Sequence, residues 1–110
     1  MEKFVKGDVV VIPFPFSDLS GSKKRPALVI ANLRGDDILL CQITSQPTTD
    51  PLSFTLNSSD FLSGSLPVDS FIRPLRIFTA DENIIFRKAG KITDELMTKV
   101  IDCIIFILKQ

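Results

Sequence analysis

The segment GSKKRPALVI, residues 21 to 30, places three consecutive cations directly before a proline and an apolar run. The cations are Lys23, Lys24 and Arg25, and Pro26 follows them. Arginine binds phosphate oxygens through the planar fork of its guanidinium group, and lysine adds positive charge. Surface cations are also common as plain solvated residues that contribute little. The segment therefore indicates either a solvated polar turn or a site that holds an anion at the start of a strand.

The composition limits the chemistry open to such a site. The chain has no histidine, so the commonest acid–base group and metal ligand is missing. Its two cysteines, Cys41 and Cys103, lie in apolar runs without paired-ligand spacing, so we predict neither a metal site nor a cofactor. Two buried thiols fit a reducing compartment, which favours the cytoplasm. Any reaction must then use arginine, lysine, carboxylate or hydroxyl groups.

Length and charge indicate one globular domain, residues 1–110, with 45% hydrophobic and 24% charged residues. Thirteen Lys and Arg balance thirteen Asp and Glu, which argues against a general nucleic-acid coat but allows one basic groove. The N-terminal residues MEKFVKGD contain no apolar signal core. The longest apolar run, residues 103–108, is too short to span a bilayer, so no membrane association is expected.

Short apolar segments separated by turn signals predict a mainly β domain with a C-terminal helix. Pro13 and Pro15 cannot donate to a strand ladder, so the second half of the first strand is predicted to lie at an edge or leave the sheet. Residues 57–65 are predicted to be mostly turn and helix-cap residues, and Pro74 is predicted to interrupt the strand region 66–78. The other predicted strands are residues 7–16, 25–33, 37–45, 53–56 and 84–88.

Thr93 is predicted to cap a helix that runs to about residue 108, with Asp94 and Glu95 in its first turn. Its apolar residues predict that it is covered on more than one side, by the barrel and by a second subunit. The predicted apolar face consists of Met97, Val100, Ile101, Ile104 and Leu108. The whole chain is predicted to form one small, strongly twisted β barrel with a terminal helix.

Three segments, in order along the chain, carry a family resemblance. GDVVVIPFPFSDLSGSKKRPALVI, then QITS, then GSLPVDSFIRPLRIFTADENIIFRKAGKITDEL together resemble the MazF/PemK family of bacterial growth-inhibitor toxins. The most specific part is the Lys-x-Arg-Pro segment and its spacing from the Thr44–Ser45 pair. The resemblance implies an SH3-like small β-barrel of the MazF/PemK (CcdB-like) type and a symmetric homodimer. It also implies metal-independent cleavage of single-stranded RNA, and a separate antitoxin protein whose flexible segment lies along the RNA groove.

The same resemblance implies roles for individual residues. Arg25 corresponds to the catalytic arginine and Thr44 to the catalytic threonine. Cleavage of this kind uses the ribose 2′-hydroxyl as nucleophile and needs charge stabilisation at the phosphate, which a guanidinium supplies. Outside the family context both residues are interpreted as ordinary strand residues. The residues predicted to bind the substrate are Ser17, Ser20, Lys23, Lys24, Ser45, Asp69 and Ser70.

The sequence departs from several family members at Ser20, where they carry a glutamate five positions before the arginine. The proton acceptor therefore stays unassigned, and Asp18 substitutes for it only if the loop folds differently. Few side chains are available to stack on RNA bases, because the chain has no Trp and no Tyr. Phe14 and Phe16 are the phenylalanines predicted to be exposed. A group of later cations is predicted to be a solvated basic face, with contact to the RNA backbone as the alternative: Arg73, Arg76, Arg87 and Lys88.

Two other functions stay open. One is a topoisomerase poison on the same barrel, although the related family uses a tryptophan near its C-terminus to engage gyrase and this chain ends IIFILKQ. The other is a non-catalytic SH3-like binding module, which Ser20 keeps open. In that case the proline-containing FPF segment and the apolar helix would form a surface for a partner.

Overall fold

The computed structural model describes residues 4–14 and 23–110 of the chain, without the side chains of Phe14 and Lys23. These residues form seven strands, two single-turn 3₁₀ helices and one α-helix. The strands are β1 (Asp8–Phe14), β2 (Lys23–Asn32), β3 (Asp37–Thr44), β4 (Phe54–Leu56), β5 (Phe61–Gly64), β6 (Ser70–Asp81) and β7 (Arg87–Ile92), and the helix is α1 (Asp94–Leu108). They make one curled antiparallel sheet in the order β4-β6-β3-β2-β1-β7-β5, which confirms the mainly β prediction with a C-terminal helix.

Strand β1 lies between β2 and β7, and this arrangement brings distant parts of the sequence together. Val11 pairs with Pro26 on one side and with Arg87 on the other. Pairing with β7 ends at Val11, whereas pairing with β2 continues to Phe14 opposite Lys23. Among the described strands, the end of β1 therefore has one partner, as predicted from the missing N–H of Pro13. Pro15 lies outside the described residues.

Strand β6 runs through Pro74, where the sequence predicted an interruption. Arg73 pairs with Gln42 of β3, and the next paired residue, Ile77, lies opposite Cys41. Residues 74–76 thus form a bulge within one continuous strand. A proline without an N–H fits a bulge, because the residue there need not donate to the ladder. The interruption is local, and the strand on its two sides keeps the same neighbour.

The prediction for residues 57–65 is confirmed at Asn57, which precedes the 3₁₀ turn Ser58–Asp60 and donates its N–H to Oδ2 of Asp60. It was wrong at Phe61–Gly64, which forms β5, and the predicted strand 84–88 begins too early. Phe61–Gly64 pairs with β7, which itself starts at Arg87 and continues to Ile92. The two strands approach closely at Gly64 and Gly90, which pair directly. Segments with glycine and serine carry no β-branched pattern, so periodicity could not detect this pair.

Apolar side chains on the two faces of the sheet form two buried clusters. Val9 and Leu28 belong to one cluster and Val10 and Ala27 to the other, because neighbouring strand residues point to opposite faces. Helix α1 covers the first cluster with Leu96, Met97, Val100 and Ile104. Leu108, predicted to lie on that face, is 74% exposed because it belongs to the last turn, beyond the covered part of the helix. No helix in the described segments has the length and apolar character needed to cross a bilayer.

Thr93 caps α1, and its removal is the first test of the fold. Its Oγ1 accepts a hydrogen bond from the N–H of Leu96 at 3.3 Å. Thr93→Ala is expected to lower the free energy of unfolding by about 1 kcal/mol in urea denaturation, since the helix loses a cap bond. Thr98→Ala is the control, because Thr98 is exposed inside the same helix and alanine has the higher helix propensity. Equal losses in both variants would contradict the capping role.

Candidate functional site

A cavity of about 520 Å³ opens at the end of the sheet where β2 begins and β3 ends. These two strands run antiparallel, so the start of one lies beside the end of the other. The start of β7 and the segment before β6 complete the walls. The residues that line the cavity are Val11, Lys24, Arg25, Pro26, Ile43, Thr44, Ser45, Gln46, Leu66, Pro67, Val68, Ser70, Phe86 and Arg87.

Arg25 lies half-buried in this cavity and is held by its strand. Its backbone is placed opposite Ile12 of β1, and Pro26 follows it in β2. Among residues 4–14 and 23–110, no side chain or carbonyl forms a hydrogen bond or ion pair with its guanidinium group. A half-buried guanidinium without such a partner favours the binding of an anion.

Two further cations face the same cavity, Lys24 from β2 and Arg87 from β7, and both are exposed. The described lining contains three cations and no carboxylate. Although the chain has no net charge, the concentration of positive groups in one concave site makes its potential positive there. The arrangement selects an anionic ligand.

The other predicted cations are mostly engaged elsewhere. Lys88 and Lys91 lie 3.1 and 3.5 Å from Oδ1 of Asp8, which is buried. Arg73 lies 3.7 Å from Asp50. Of the four cations predicted as a solvated face, Arg87 is therefore the one that lines the cavity, and Arg76 is exposed outside it.

Thr44, the last residue of β3, lies half-buried beside Arg25 in the cavity wall. Its Oγ1 accepts a hydrogen bond from the backbone N–H of Gln46 at 3.1 Å. That bond uses an acceptor position and leaves the hydroxyl proton for another partner.

Three other predicted residues occupy different positions. Ser45 is exposed at the cavity rim. Ser70 lines the wall but is buried, and its Oγ donates to the carbonyl of Val68 at 3.1 Å. Its proton therefore holds the Val68 segment in place. Asp69 is exposed and borders a neighbouring cavity of about 250 Å³ with Asn57 and Pro67. Its carboxylate thus lies apart from the three cations.

Several predicted residues lie outside the described part of the chain. They are Phe16, Ser17, Asp18 and Ser20. The backbone of Lys23 begins β2 opposite Phe14, and nothing is described of either side chain.

Sequence reasoning missed Gln46 and Phe86 in the lining. Phe86 is 58% exposed, and Nζ of Lys24 lies 3.6 Å from the centre of its ring. The signal available in the sequence was a phenylalanine next to the Arg87–Lys88 pair, but it stood inside an apparent strand. In the structure Phe86 directly precedes β7, which begins at Arg87, and its ring is exposed there.

Neither cysteine belongs to the cavity lining. Cys41 is buried in the core, and burial raises the pKa of its thiol to about 12. Burial and the nearby Asp50 carboxylate also raise the pKa of Cys103. Both thiols stay protonated at neutral pH, which removes them as nucleophiles.

Solved structures of about the same length share this fold. Crystallised MazE–MazF from Deinococcus radiodurans matches with a TM-score of 0.79 and 18% identity, covering 99% of both chains. An endoribonuclease in complex with its cognate antitoxin, from a mycobacterial species, matches with a TM-score of 0.76 and 17% identity, covering 96% of this chain and 95% of that one. The Mycobacterium tuberculosis toxin MazF-mt6 matches with a TM-score of 0.71 and 11% identity, over 93% and 96%. The predicted MazF-type barrel is thus confirmed.

Sequence comparison gives the family directly. A search of curated proteins found no significant match. The family model for PemK-like, MazF-like toxins of type II toxin–antitoxin systems matches residues 5–108, nearly the whole chain. The chain belongs to this family of toxins.

Proposed function

We propose that this chain is the toxin of a type II toxin–antitoxin pair and cleaves single-stranded RNA in the cytoplasm without a metal ion. The observation that carries the proposal is the cavity in which Arg25 and Thr44 lie together, with Lys24 and Arg87 and without a carboxylate in the described lining. Membership of the toxin family supports the proposal. A polyanion with a reactive hydroxyl beside each phosphate fits the charge and the donor groups of this site.

In the proposed reaction the ribose 2′-oxygen attacks the adjacent phosphorus, and the bond from phosphorus to the 5′-oxygen breaks. The products are a 2′,3′-cyclic phosphate and a 5′-hydroxyl, once the leaving oxygen has taken a proton. Arg25 binds the non-bridging oxygens and stabilises the charge that increases at phosphorus. Thr44 donates its free hydroxyl proton to one of these oxygens and fixes the phosphate beside Arg25.

Other residues bind the RNA on both sides of that phosphate. Lys24 and Arg87 pair with neighbouring phosphates, and Ser45 contacts the sugar or phosphate at the rim. Ser70 acts through the Val68 segment that its hydroxyl holds. Ser17, Ser20, Lys23 and Asp69 remain proposed substrate-binding residues. The described lining contains no carboxylate to accept the 2′-hydroxyl proton. Asp18, which precedes β2 in the sequence, is the proposed acceptor, and the proton that it takes is returned to the leaving 5′-oxygen.

The proposed partners are a cognate antitoxin and a second copy of the chain. A related toxin from a mycobacterial species was solved with its antitoxin. An antitoxin segment that carries carboxylates would satisfy the cations of the same cavity and exclude RNA. The outer side of α1 exposes Ile105, Phe106 and Leu108, an apolar surface that a second copy of the chain would cover in a homodimer.

The test is cleavage of a long, unstructured, end-labelled RNA by purified protein in EDTA. We expect cutting with 2′,3′-cyclic phosphate ends, and no cutting at any site where the nucleotide before the broken bond is replaced by its 2′-deoxy analogue. The control removes the nucleophile and leaves the charge of the substrate unchanged. If the RNA stays intact in the presence of folded protein, the endoribonuclease hypothesis is overturned and a binding module is favoured. Gyrase-dependent DNA breaks in inhibited cells would instead favour the topoisomerase poison.

A further inference from the structure

Phe86 is the aromatic side chain among the described residues that line the cavity. It is 58% exposed. A single exposed phenylalanine is common on protein surfaces and needs no function by itself. This one shares a concave, cationic site with Arg25 and Lys24, which is an unusual position for an uncovered apolar ring.

The backbone of Phe86 is fixed to the strand that also positions Arg25. Its N–H donates to the carbonyl of Val11 at 2.8 Å. On the other side of β1, Val11 pairs with Pro26, the residue next to Arg25. Phe86 and Arg25 therefore lie across one strand from each other, roughly 10 Å apart by the usual strand spacing. The backbone that carries the ring is thus fixed relative to the backbone of Arg25.

Lys24 shows how the ring is presented. Its Nζ lies 3.6 Å from the centre of the Phe86 ring, so one face of the ring is turned toward the cations. Both side chains are exposed, and an exposed cation–π contact is weak. A flat π-system could replace the ammonium group on this face at small cost, and the released Lys24 would then be free to pair with a phosphate.

We propose that Phe86 is a base-binding residue: it stacks a nucleobase of the RNA whose phosphate Arg25 holds, and Lys24 moves from the ring to the RNA backbone. This inference rests on the proposed function and adds a contact to it. Stacking on an aromatic ring accepts any base, so Phe86 supplies affinity and orientation and no choice of sequence. Aromatic stacking beside a positively charged groove is the usual way to bind single-stranded RNA.

The composition allows a direct optical test. Because the chain has no tryptophan, Phe86→Trp contains a single one, placed at the proposed stacking position. Titration with an RNA oligonucleotide carrying 2′-O-methyl groups throughout, which removes the nucleophile, should quench its fluorescence saturably. The matched control is Leu62→Trp, since Leu62 is 60% exposed on β5 and lies outside the described cavity lining. Its fluorescence should stay unchanged on titration.

A binding measurement separates stacking from general attraction. Phe86→Leu is expected to weaken binding of the 2′-O-methyl oligonucleotide about tenfold, in line with the contribution of one stacked base. The stacked base can then be located with a series of oligonucleotides that each lack one base. At one position, loss of the base should weaken binding to the parent by a similar factor and should leave the affinity of Phe86→Leu unchanged. Lys24→Met should make the plot of log affinity against log salt concentration less steep, by the amount expected for about one lost phosphate contact.

Each outcome decides between the two proposals. If the parent cleaves RNA in EDTA but Phe86→Leu binds the 2′-O-methyl oligonucleotide as tightly as the parent, the stacking role is overturned and the endoribonuclease hypothesis is kept. Quenching in Leu62→Trp as strong as in Phe86→Trp would also overturn the stacking role. If the parent neither cleaves RNA nor binds the oligonucleotide, the proposed function fails, and the inference fails with it. Unchanged thermal unfolding of Phe86→Leu excludes misfolding as the cause of a loss.

Discussion

Replacing Arg25 with alanine is expected to lower kcat/KM for RNA cleavage about a thousandfold, the range seen when a guanidinium that stabilises a phosphoryl transition state is removed. Arg25 is the half-buried cation of the cavity, and no partner among the described residues neutralises it. The loss should appear mainly in kcat, because the charge on the phosphate is greatest in the transition state. Initial rates on a short labelled RNA would measure both constants.

Two comparisons make this result specific. Arg25→Lys keeps the charge but loses the two-pronged contact, so we expect a loss of roughly ten- to a hundredfold. Arg76→Ala removes an exposed arginine outside the cavity and should leave kcat/KM within about twofold of the parent. A thousandfold loss in Arg76→Ala as well would show that total charge, and not the geometry at Arg25, controls the reaction. All three variants should unfold at nearly the parent temperature, since Arg25 forms no described ion pair.

The largest expected effect on stability comes from Gly64→Ala, at about 3 kcal/mol of unfolding free energy. Gly64 has a φ of +69°, and a Cβ there would overlap the carbonyl oxygen of Ala89 and lie 2.6 Å from the Cα of Gly90. Both atoms belong to the backbone of β7, so no side chain can move aside. The pair of strands must separate or shift, and we expect the thermal midpoint to fall by about 15 °C at fixed protein concentration.

Gly35→Ala is the matched control for that loss. Gly35 has a similar φ of +75°, but a Cβ there would meet nothing within 4 Å. Its substitution should therefore cost only the backbone strain, about 1 kcal/mol. The difference between the two variants measures the close contact of β5 with β7 alone. Equal losses would mean that the contact of Gly64 with β7 contributes nothing.

The fold was largely predictable because its main signals are local. The β-branched runs of β1, β2 and β3 and the cap of α1 by Thr93 all appear in the structure. The signals failed at β5, where glycine and serine permit a close strand approach without any apolar alternation. They also failed to predict that Pro74 would produce a bulge within one strand, because the same proline also fits a break between two.

The site was predictable only in part, for a different reason. Arg25 and Thr44 could be named only through the family resemblance, which the Lys-x-Arg-Pro segment and the Thr44–Ser45 pair carry, and the structure brings both residues to one cavity. Phe86 and Arg87 reach that cavity through the pairing of β7 with β1, a contact between distant positions that no local pattern encodes. Ser70 and Asp69 are neighbours in sequence, yet Ser70 is buried at the start of β6 and bonded to Val68, whereas Asp69 precedes the strand and is exposed.

The pairing of β1 with β7 also governs when the cavity can exist during synthesis. A chain is made from its N-terminus, so Arg25 and Thr44 leave the ribosome long before Phe86 and Arg87. Pairing of β7 with β1 closes a loop that contains most of the sequence. Such long-range contacts form late, because the chain must lose the conformational entropy of the loop before the contact stabilises it. A nascent chain without β7 lacks one wall of the cavity and the ring of Phe86. The site therefore stays incomplete during synthesis until β7 has left the ribosome and paired with β1.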